Sequence, residues 1–363
     1  MSNEASMNEV SFQTIRSASS PAELRKARIE EQNRLFEQFS DTEIVIWNEL
    51  VNELHNTVMS RASTLCEQEL IEEGFGPPPV PYAYVVFGSA GRAEQTLWSD
   101  QDNGLIIGES NDGTSESYFD EFGPRLSHIL EVAGYPPCPG NVMLSNTLWR
   151  KSVADWERQL QYWRGQLGWE QVRYLMIAAD MRHIYGDEEL TKLLRKKMTA
   201  VFESEAEPEY DLTAAVLRNT IRHKAALNAL GQVITEQTGE HAGEFDVKYG
   251  LYLPVVNAVR YLSIEYGIVA SSTQERIEQL YRLDAAQLRW LDSCQHAFNT
   301  ALRFRSMAAV KDEDGLLTGT NYLPETLIRQ KEMRRELREA LSTVKLMYRT
   351  LQRQHRYTER KWL

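Results

Sequence analysis

The segment from Tyr84 to Ile107 constrains the fold more than any other part of the chain. It reads YVVFGSAGRAEQTLWSDQDNGLII. A short apolar run, typical of a buried strand, leads into Gly88 and Ser89, and a second apolar run follows two aspartates. The pattern predicts a strand, a Gly-Ser turn that opens a short helix, and a second strand led by Asp100 and Asp102.

The turn has the composition of a phosphate-binding loop. Gly88 allows the backbone to turn sharply and to approach a ligand closely. Ser89 offers a hydroxyl group, and the amides after it lie at the predicted helix start, where the helix dipole favours anions. The guanidinium of Arg92 suits bidentate contact with phosphate oxygens. The sequence therefore predicts nucleotide or phosphate binding by Gly88, Ser89 and Arg92.

The two aspartates have the spacing of a metal site. Residues i and i+2 of an extended strand point to the same side, so Asp100 and Asp102 converge. Two adjacent carboxylates repel each other unless a cation lies between them. Mg²⁺ prefers one or two carboxylates together with substrate phosphates. We therefore predict that Asp100 and Asp102 are catalytic residues that hold Mg²⁺ or Mn²⁺.

Gly88-Ser89, followed after ten residues by Asp100-x-Asp102, resembles the signature of the DNA polymerase beta-like nucleotidyltransferase superfamily. The fuller string is similar to one bacterial branch, related to the uridylyltransferase that modifies PII signalling proteins and often fused to CBS and cyclic-nucleotide-binding modules. The resemblance spans roughly residues 45 to 310 and includes later segments at 137–146, 148–150, 180–187 and 245–250. It implies transfer of a nucleotide from an NTP, with a helical half that binds the substrate.

The wider superfamily usually has apolar residues where Gln101 and Asn103 stand, and it takes a third carboxylate from a later strand. The best candidate for that strand is 141–144, which contains no acidic residue. Two alternatives follow. Either the two aspartates hold the metal alone, or a carboxylate from elsewhere, such as Asp180, takes the third place.

Composition narrows the classes of function. The chain has 363 residues and a net charge of -12, which argues against general nucleic-acid binding because that requires a basic face. No run of eighteen apolar residues and no signal peptide are visible, so no membrane association is expected. The three cysteines are far apart and predict reduced thiols in a cytoplasmic protein.

Periodicity predicts an α+β fold, with a small mixed sheet, an all-helical bundle behind it and a helical lead-in. The resemblance implies that the sheet belongs to a nucleotidyltransferase domain and that the bundle binds the substrate. The predicted units are a disordered N-terminus at 1–20, a helical lead-in at 21–76, the nucleotidyltransferase domain at 82–150, a helical substrate-binding domain at 151–310 and a basic C-terminal helix at 324–363. Within the bundle, helices are predicted near 168–184 and 211–238. Residues 311–324 are predicted to form a polar loop.

Two further cations are candidates for contact with phosphate or substrate. Arg150 follows the third predicted strand, at a strand end where ligands commonly bind, but a surface arginine explains it equally well. Lys248 enters an otherwise apolar helix and has the reach to contact an acidic cleft.

Two functions remain open. The first is a metal-dependent nucleotidyltransferase that moves an NMP from an NTP to a protein or small-molecule acceptor, in signalling or regulation. The second is a weakly active or inactive nucleotide-sensing or protein-interaction module of the same fold, which would need a regulatory protein partner.

Overall fold

The computed structural model describes residues 12–109, 114–204, 211–221, 225–228, 231–283 and 290–361. The longer helices are α1 Gln13–Ser17, α2 Pro21–Gln38, α3 Ile44–Glu72, α5 Thr114–Val132, α6 Val153–Gln166, α7 Trp169–Ala178, α8 Glu188–Glu203, α9 Leu212–Thr220, α10 Leu253–Glu265, α11 Thr273–Arg282, α12 Leu291–Ser306 and α14 Lys331–Lys361. Single helical turns are α4 Gly88–Gly91 and α13 Glu325–Ile328, and a π-helical segment spans Lys248–Tyr252. None of these described helices is long and apolar enough to cross a membrane.

The strands are β1 Tyr82–Val86, β2 Asn103–Ile107, β3 Arg150–Ser152, β4 Arg182–Gly186, β5 Phe245–Asp246, β6 Val310–Glu313, β7 Leu316–Gly319 and β8 Tyr322–Leu323. The main sheet has four strands in the order β3-β2-β1-β4. β1 pairs antiparallel with β2 and with β4, while β2 and β3 run parallel. The expected α+β fold with a small mixed sheet and many helices is confirmed.

The third strand is not where the sequence placed it. Residues 141–144 are irregular, although the carbonyl of Val142 accepts a hydrogen bond from the Asn103 amide at 3.0 Å. The strand at this edge is instead β3, with Leu105 opposite Arg150. An apolar tetrapeptide predicts burial equally well in a strand or in a packed loop, and here it is packed as a loop.

The two faces of β1 belong to two different cores, because successive side chains of a strand point to opposite sides. Tyr82, Tyr84 and Val86 pack in a core with α3 and α5. Ala83 and Val85 pack in a second core with α6, α8 and the helices that follow. The sheet is therefore covered by helices on both faces, and the ends of its central strands are held between the lead-in and the bundle.

The helical lead-in begins as expected, since Ser20 caps the amide of Glu23 and Pro21 occupies the first position of α2. The predicted disorder of residues 1–20 is wrong for residues 12–20. Phe12 and Ile15 are fully buried against the lead-in helices, and this burial orders α1. Residues 1–11 lie outside the described part of the chain.

Three predictions in the second half need correction. The helix predicted at 168–184 ends at Ala178, and residues 182–186 form the edge strand β4. The helix predicted at 211–238 ends at Thr220; residues 222–224 and 229–230 lie outside the described residues. The polar loop predicted at 311–324 contains the β6–β7 hairpin and β8, which pairs with β5. The strands β4 and β8 could not be recognised locally, because their hydrogen-bond partners β1 and β5 are distant in the sequence.

Candidate active site

The two aspartates lie at the entrance to β2 and face one cavity of about 610 Å³. The Phe87 amide donates to the Asp102 carbonyl at 2.8 Å, which extends the β1–β2 pairing by one step. Asp100, Asp102, Gly88 and Ser89 all line this cavity. The structure thus brings the predicted phosphate-binding turn and the predicted metal-binding pair into one place.

The turn between β1 and α4 approaches the aspartates closely. Gly88 has a φ of +55°, and a Cβ atom on it would lie 2.4 Å from the Asp102 carboxylate oxygen Oδ2. Any larger residue would therefore collide with the carboxylate and strain the backbone. The positive φ and this close approach favour glycine, and the backbone of the turn packs directly against the Asp102 carboxylate.

The carboxylate of Asp102 is electrostatically unfavourable in the protein alone. Burial first, and the neighbouring Asp100 second, raise its pKa from 3.8 to about 7. A hydrogen bond with the Cys138 thiol and the charges of Arg92 and Lys248 oppose this rise. A bound cation would remove the repulsion between the two carboxylates.

The donor set fits a magnesium or manganese ion with two protein carboxylates. Neither Asp100 nor Asp102 forms an ion pair with a described residue, and oxygen donors are the preferred ligands of these cations. Among the described residues there is no group of three or more His, Cys, Asp or Glu side chains arranged to hold a metal. Of the two alternatives left by the sequence, the described residues favour two aspartates with the remaining positions left for substrate and water.

Gln101 and Asn103, the unusual neighbours of the aspartates, both point into the interior. The Gln101 Nε2 donates to the carbonyls of Ser127 at 2.9 Å and Tyr135 at 3.0 Å. The Asn103 Oδ1 accepts from the Leu144 amide at 2.9 Å. Their polar groups are therefore satisfied, and they tie the aspartate loop to the end of α5 and to the irregular segment beside β2.

A buried histidine extends this anchoring to α3. Burial first, then the nearby Arg28, lowers the pKa of His55 to about 3, so the ring is neutral. Its Nε2 lies 2.8 Å from the Thr96 carbonyl, and its Nδ1 lies 2.7 Å from the Tyr135 hydroxyl. The Nε2–H therefore donates to Thr96, and Tyr135 donates to Nδ1. The loop that carries the aspartates is held at both ends.

Lys248 lines the same cavity and lies in the π-helical segment before α10. Its ammonium has no ion pair or hydrogen bond with any described residue, and its charge lowers the pKa of Asp102. Short π-helical segments are frequent at functional sites. The placement agrees with the predicted phosphate contact of Lys248, which stays a prediction.

Arg92 has structural contacts that the sequence did not predict. It is 4 % exposed, and its Nε, Nη1 and Nη2 donate to Glu94, Asp180 and the Tyr252 hydroxyl, respectively. Each of the three guanidinium nitrogens therefore donates a hydrogen bond at the boundary between the sheet and the helical half. Arg92 also lines the cavity that contains the aspartates, and its predicted phosphate contact stays a prediction.

Asp180 is likewise not available as a third metal ligand. Its carboxylate accepts from Arg260 at 3.1 Å, Arg276 at 2.9 Å and Arg92 at 2.5 Å. Although burial alone would raise the pKa of Asp180, these arginines hold it well below its usual range. We call the buried group formed by Arg92, Glu94, Asp180, Tyr252, Arg260, Arg276 and Arg305 the junction cluster.

Arg150 also has a structural role in place of the predicted substrate contact. Its Nη1 donates to the Leu144 carbonyl at 2.8 Å, and its Nη2 pairs with Asp120 of α5. These contacts close the loop before β3 against α5, outside the cavity that contains the aspartates. On the sequence alone, a structural role and a substrate contact have equal weight for Arg150. The ion pair with Asp120 of α5 supports the structural role.

Sequence reasoning missed Arg305 and Tyr252, which both line the cavity. Arg305 stands next to Phe304 in the mostly apolar buried face of α12. A charged residue on a buried helical face was the available signal, since such residues are seldom buried without a partner. It was not recognised because Arg305 follows the two aspartates by about two hundred residues in the sequence.

The fold and the site define a nucleotidyltransferase class of protein: a short mixed sheet, a Gly-Ser turn and two aspartates at the edge of one cavity. Residues 30–168 match the family described as "Putative nucleotidyltransferase DUF294", and residues 210–355 match "Putative nucleotidyltransferase substrate binding domain". The two matches cover more than three quarters of the chain, and the protein belongs to this nucleotidyltransferase family. A comparison with curated proteins gives no match.

Proposed function

We propose that this protein is a metal-dependent nucleotidyltransferase that moves an NMP from an NTP to a protein or small-molecule acceptor, with release of pyrophosphate. The observation that carries the proposal is the shared cavity of Gly88, Asp100, Asp102 and Lys248. The cavity contains two carboxylates and one lysine ammonium that form no ion pair with a described residue. A metal-bound polyphosphate would complete this charge arrangement.

Each residue has a defined part in this proposal. Asp100 and Asp102 would hold Mg²⁺ or Mn²⁺, which when bound neutralises charge on the transferring phosphoryl group. Gly88 lets the turn approach a ligand closely, and the Ser89 hydroxyl and the first amides of α4 would donate to a phosphate in the cavity. Lys248, which lines the same cavity, would also bind the phosphates. The acceptor oxygen attacks the α-phosphorus, the bond to the bridging oxygen breaks, and catalysis consists of positioning and charge compensation.

We extend the proposal to a regulatory or signalling role, because the resembled branch includes enzymes that modify signalling proteins. Uridylyl and adenylyl transfer are both compatible with the cavity, since the metal and phosphate contacts do not involve the base. The acceptor is either a protein hydroxyl or a small molecule.

A second candidate is a nucleotide sensor of the same fold that binds NTP without transfer. Among the described residues no group of three or more acidic, His or Cys side chains is arranged to hold a metal, and this favours the sensor. In this case Asp102 and Lys248 would still bind the metal and the phosphates, and the signal would pass to a partner protein.

The test is transfer from each of the four α-³²P-labelled NTPs, with Mg²⁺ or Mn²⁺, to components of a cell lysate. We expect Asp100→Ala and Asp102→Ala to abolish labelling. Asp41→Ala, which removes an exposed carboxylate without a hydrogen-bond partner among the described residues, is the matched control and should behave as wild type. Equal labelling by all variants would refute the aspartate assignment. NTP binding without transfer supports the sensor, and neither binding nor transfer overturns both functions.

A further inference from the structure

The junction cluster carries more positive than negative charge. It contains the guanidinium groups of Arg92, Arg260, Arg276 and Arg305 but only the carboxylates of Glu94 and Asp180. All these side chains are at most 8 % exposed. Within the cluster the positive charges exceed the negative ones by two, and a buried charge without a partner costs several kcal/mol. Such an excess is expected where an anionic ligand completes the site.

Arg305 is the member of the junction cluster without a carboxylate partner. Arg92, Arg260 and Arg276 all pair with Asp180, whereas Arg305 forms no ion pair with a described residue. Its Nη1 donates to the Glu94 carbonyl at 2.9 Å, and its buried Nε has no hydrogen-bond partner. The excess charge of the cluster is thus concentrated on Arg305.

The position of Arg305 is held by Tyr252. The Arg305 guanidinium lies 3.9 Å from the centre of the Tyr252 ring, and the Tyr252 hydroxyl is hydrogen-bonded to Arg92 and Glu94. Tyr252 also ends the π-helical segment that begins with Lys248. A single aromatic residue therefore places two cations without carboxylate partners, Lys248 and Arg305, on the wall of the cavity that contains the aspartates.

We propose that Arg305, together with Lys248, binds the phosphate chain of the nucleoside triphosphate beyond the α-phosphorus. The inference rests on the proposed function, because it assigns a ligand group to the same cavity. The guanidinium suits this ligand, since its planar donors match phosphate oxygens. Arg305 and Lys248 together supply two positive charges for the two terminal phosphates, so the helical half binds the pyrophosphate that will leave.

Inorganic tripolyphosphate with Mg²⁺ is a suitable probe because it contains no base, and binding is measured by isothermal titration calorimetry. We expect Arg305→Gln to weaken tripolyphosphate binding at least tenfold. Arg303→Gln is the matched control, since Arg303 stands on the same helix and pairs with Glu336. It should bind tripolyphosphate as wild type does. Binding by Arg305→Gln equal to wild type would overturn the assignment.

A second variant and a second ligand separate this site from the proposed transfer activity. Arg305→Lys keeps the charge and the stem, so it should fold even if Arg305→Gln does not, and should retain intermediate tripolyphosphate affinity. Equal tripolyphosphate affinity of Arg305→Lys and wild type would show that the Arg305 guanidinium makes no contact with the phosphates. NMP binding should be equal in wild type and in both variants, and loss of NMP binding would contradict the assignment. Tripolyphosphate binding without transfer from any NTP would refute the enzyme but not the phosphate site.

Discussion

Asp102→Asn should make the metal-free protein more stable at pH 8. Burial and Asp100 raise the pKa of Asp102 from 3.8 to about 7, a difference of about three pH units. Each unit corresponds to about 1.4 kcal/mol, so holding the carboxylate ionised costs at most about 4 kcal/mol. Because the side chain keeps partial contact with solvent, we expect the neutral variant to gain about 2 to 4 kcal/mol.

The sign of the pH dependence follows from linkage. Well below pH 4 the carboxyl is protonated in both states, and the variant has no advantage. Between about pH 4 and pH 7 the unfolded chain loses the proton while the folded protein keeps it, so wild-type stability falls as the pH rises. The free energy of unfolding of Asp102→Asn relative to wild type should therefore increase between about pH 4 and pH 7 and remain constant at higher pH.

The assay is urea denaturation followed by tryptophan fluorescence, in EDTA, at several pH values from 4 to 8. Asp41→Asn serves as the control for loss of an exposed carboxylate and should change stability by less than about 0.5 kcal/mol. Adding Mn²⁺ should stabilise wild type more than Asp102→Asn, since the ion compensates the carboxylate pair. A variant at pH 8 that is no more stable than wild type would refute the electrostatic reasoning.

Three further predictions concern the site and its support. Gly88→Ala should abolish Mn²⁺ binding, because its Cβ would lie 2.4 Å from the Asp102 carboxylate. Gly165→Ala is the control and should retain Mn²⁺ binding, because a Cβ there would have no atom within 4 Å. Equal Mn²⁺ binding by both variants would contradict the close packing of Gly88 against Asp102. Asp180→Asn should lower the free energy of unfolding by about 3 to 5 kcal/mol, against less than about 0.5 kcal/mol for the exposed Asp41→Asn, as measured by urea denaturation; similar losses would exclude a buried charge network. Mn²⁺ affinity should fall by up to tenfold per pH unit below pH 7, because a proton competes with the ion at Asp102. The affinity is measured by electron paramagnetic resonance, and an affinity that does not change with pH would contradict the raised pKa of Asp102.

The strand-turn-strand core of the site could be predicted because its signals are local. A run of apolar residues before Gly88 and after Asp102 specifies two buried strands, and the i, i+2 spacing of the aspartates places both on one side. The same locality explains the failures. Residues 141–144 and 182–186 differ in structure because of what lies beside them, since an edge strand requires a partner that the local sequence does not identify.

Gln101 shows why the role of a single side chain is difficult to predict from the sequence. Its identity between two aspartates suggested a weakened site, but its side chain turns inward and donates to the carbonyls of Ser127 and Tyr135. The unusual residue therefore anchors the loop. Whether a polar side chain faces solvent, substrate or interior depends on acceptors that other elements supply.

By itself, the sequence established an α+β nucleotidyltransferase fold with Gly88, Asp100 and Asp102 as its centre, because turn chemistry and strand alternation act over a few residues. Only the tertiary structure decided the roles of the cations. Arg92, eight residues before Asp100, is occupied by Asp180, while Lys248 and Arg305 reach the cavity from the helical half without a carboxylate partner among the described residues. The free energy of a buried charge depends on the charges around it, and these come together only when the chain folds.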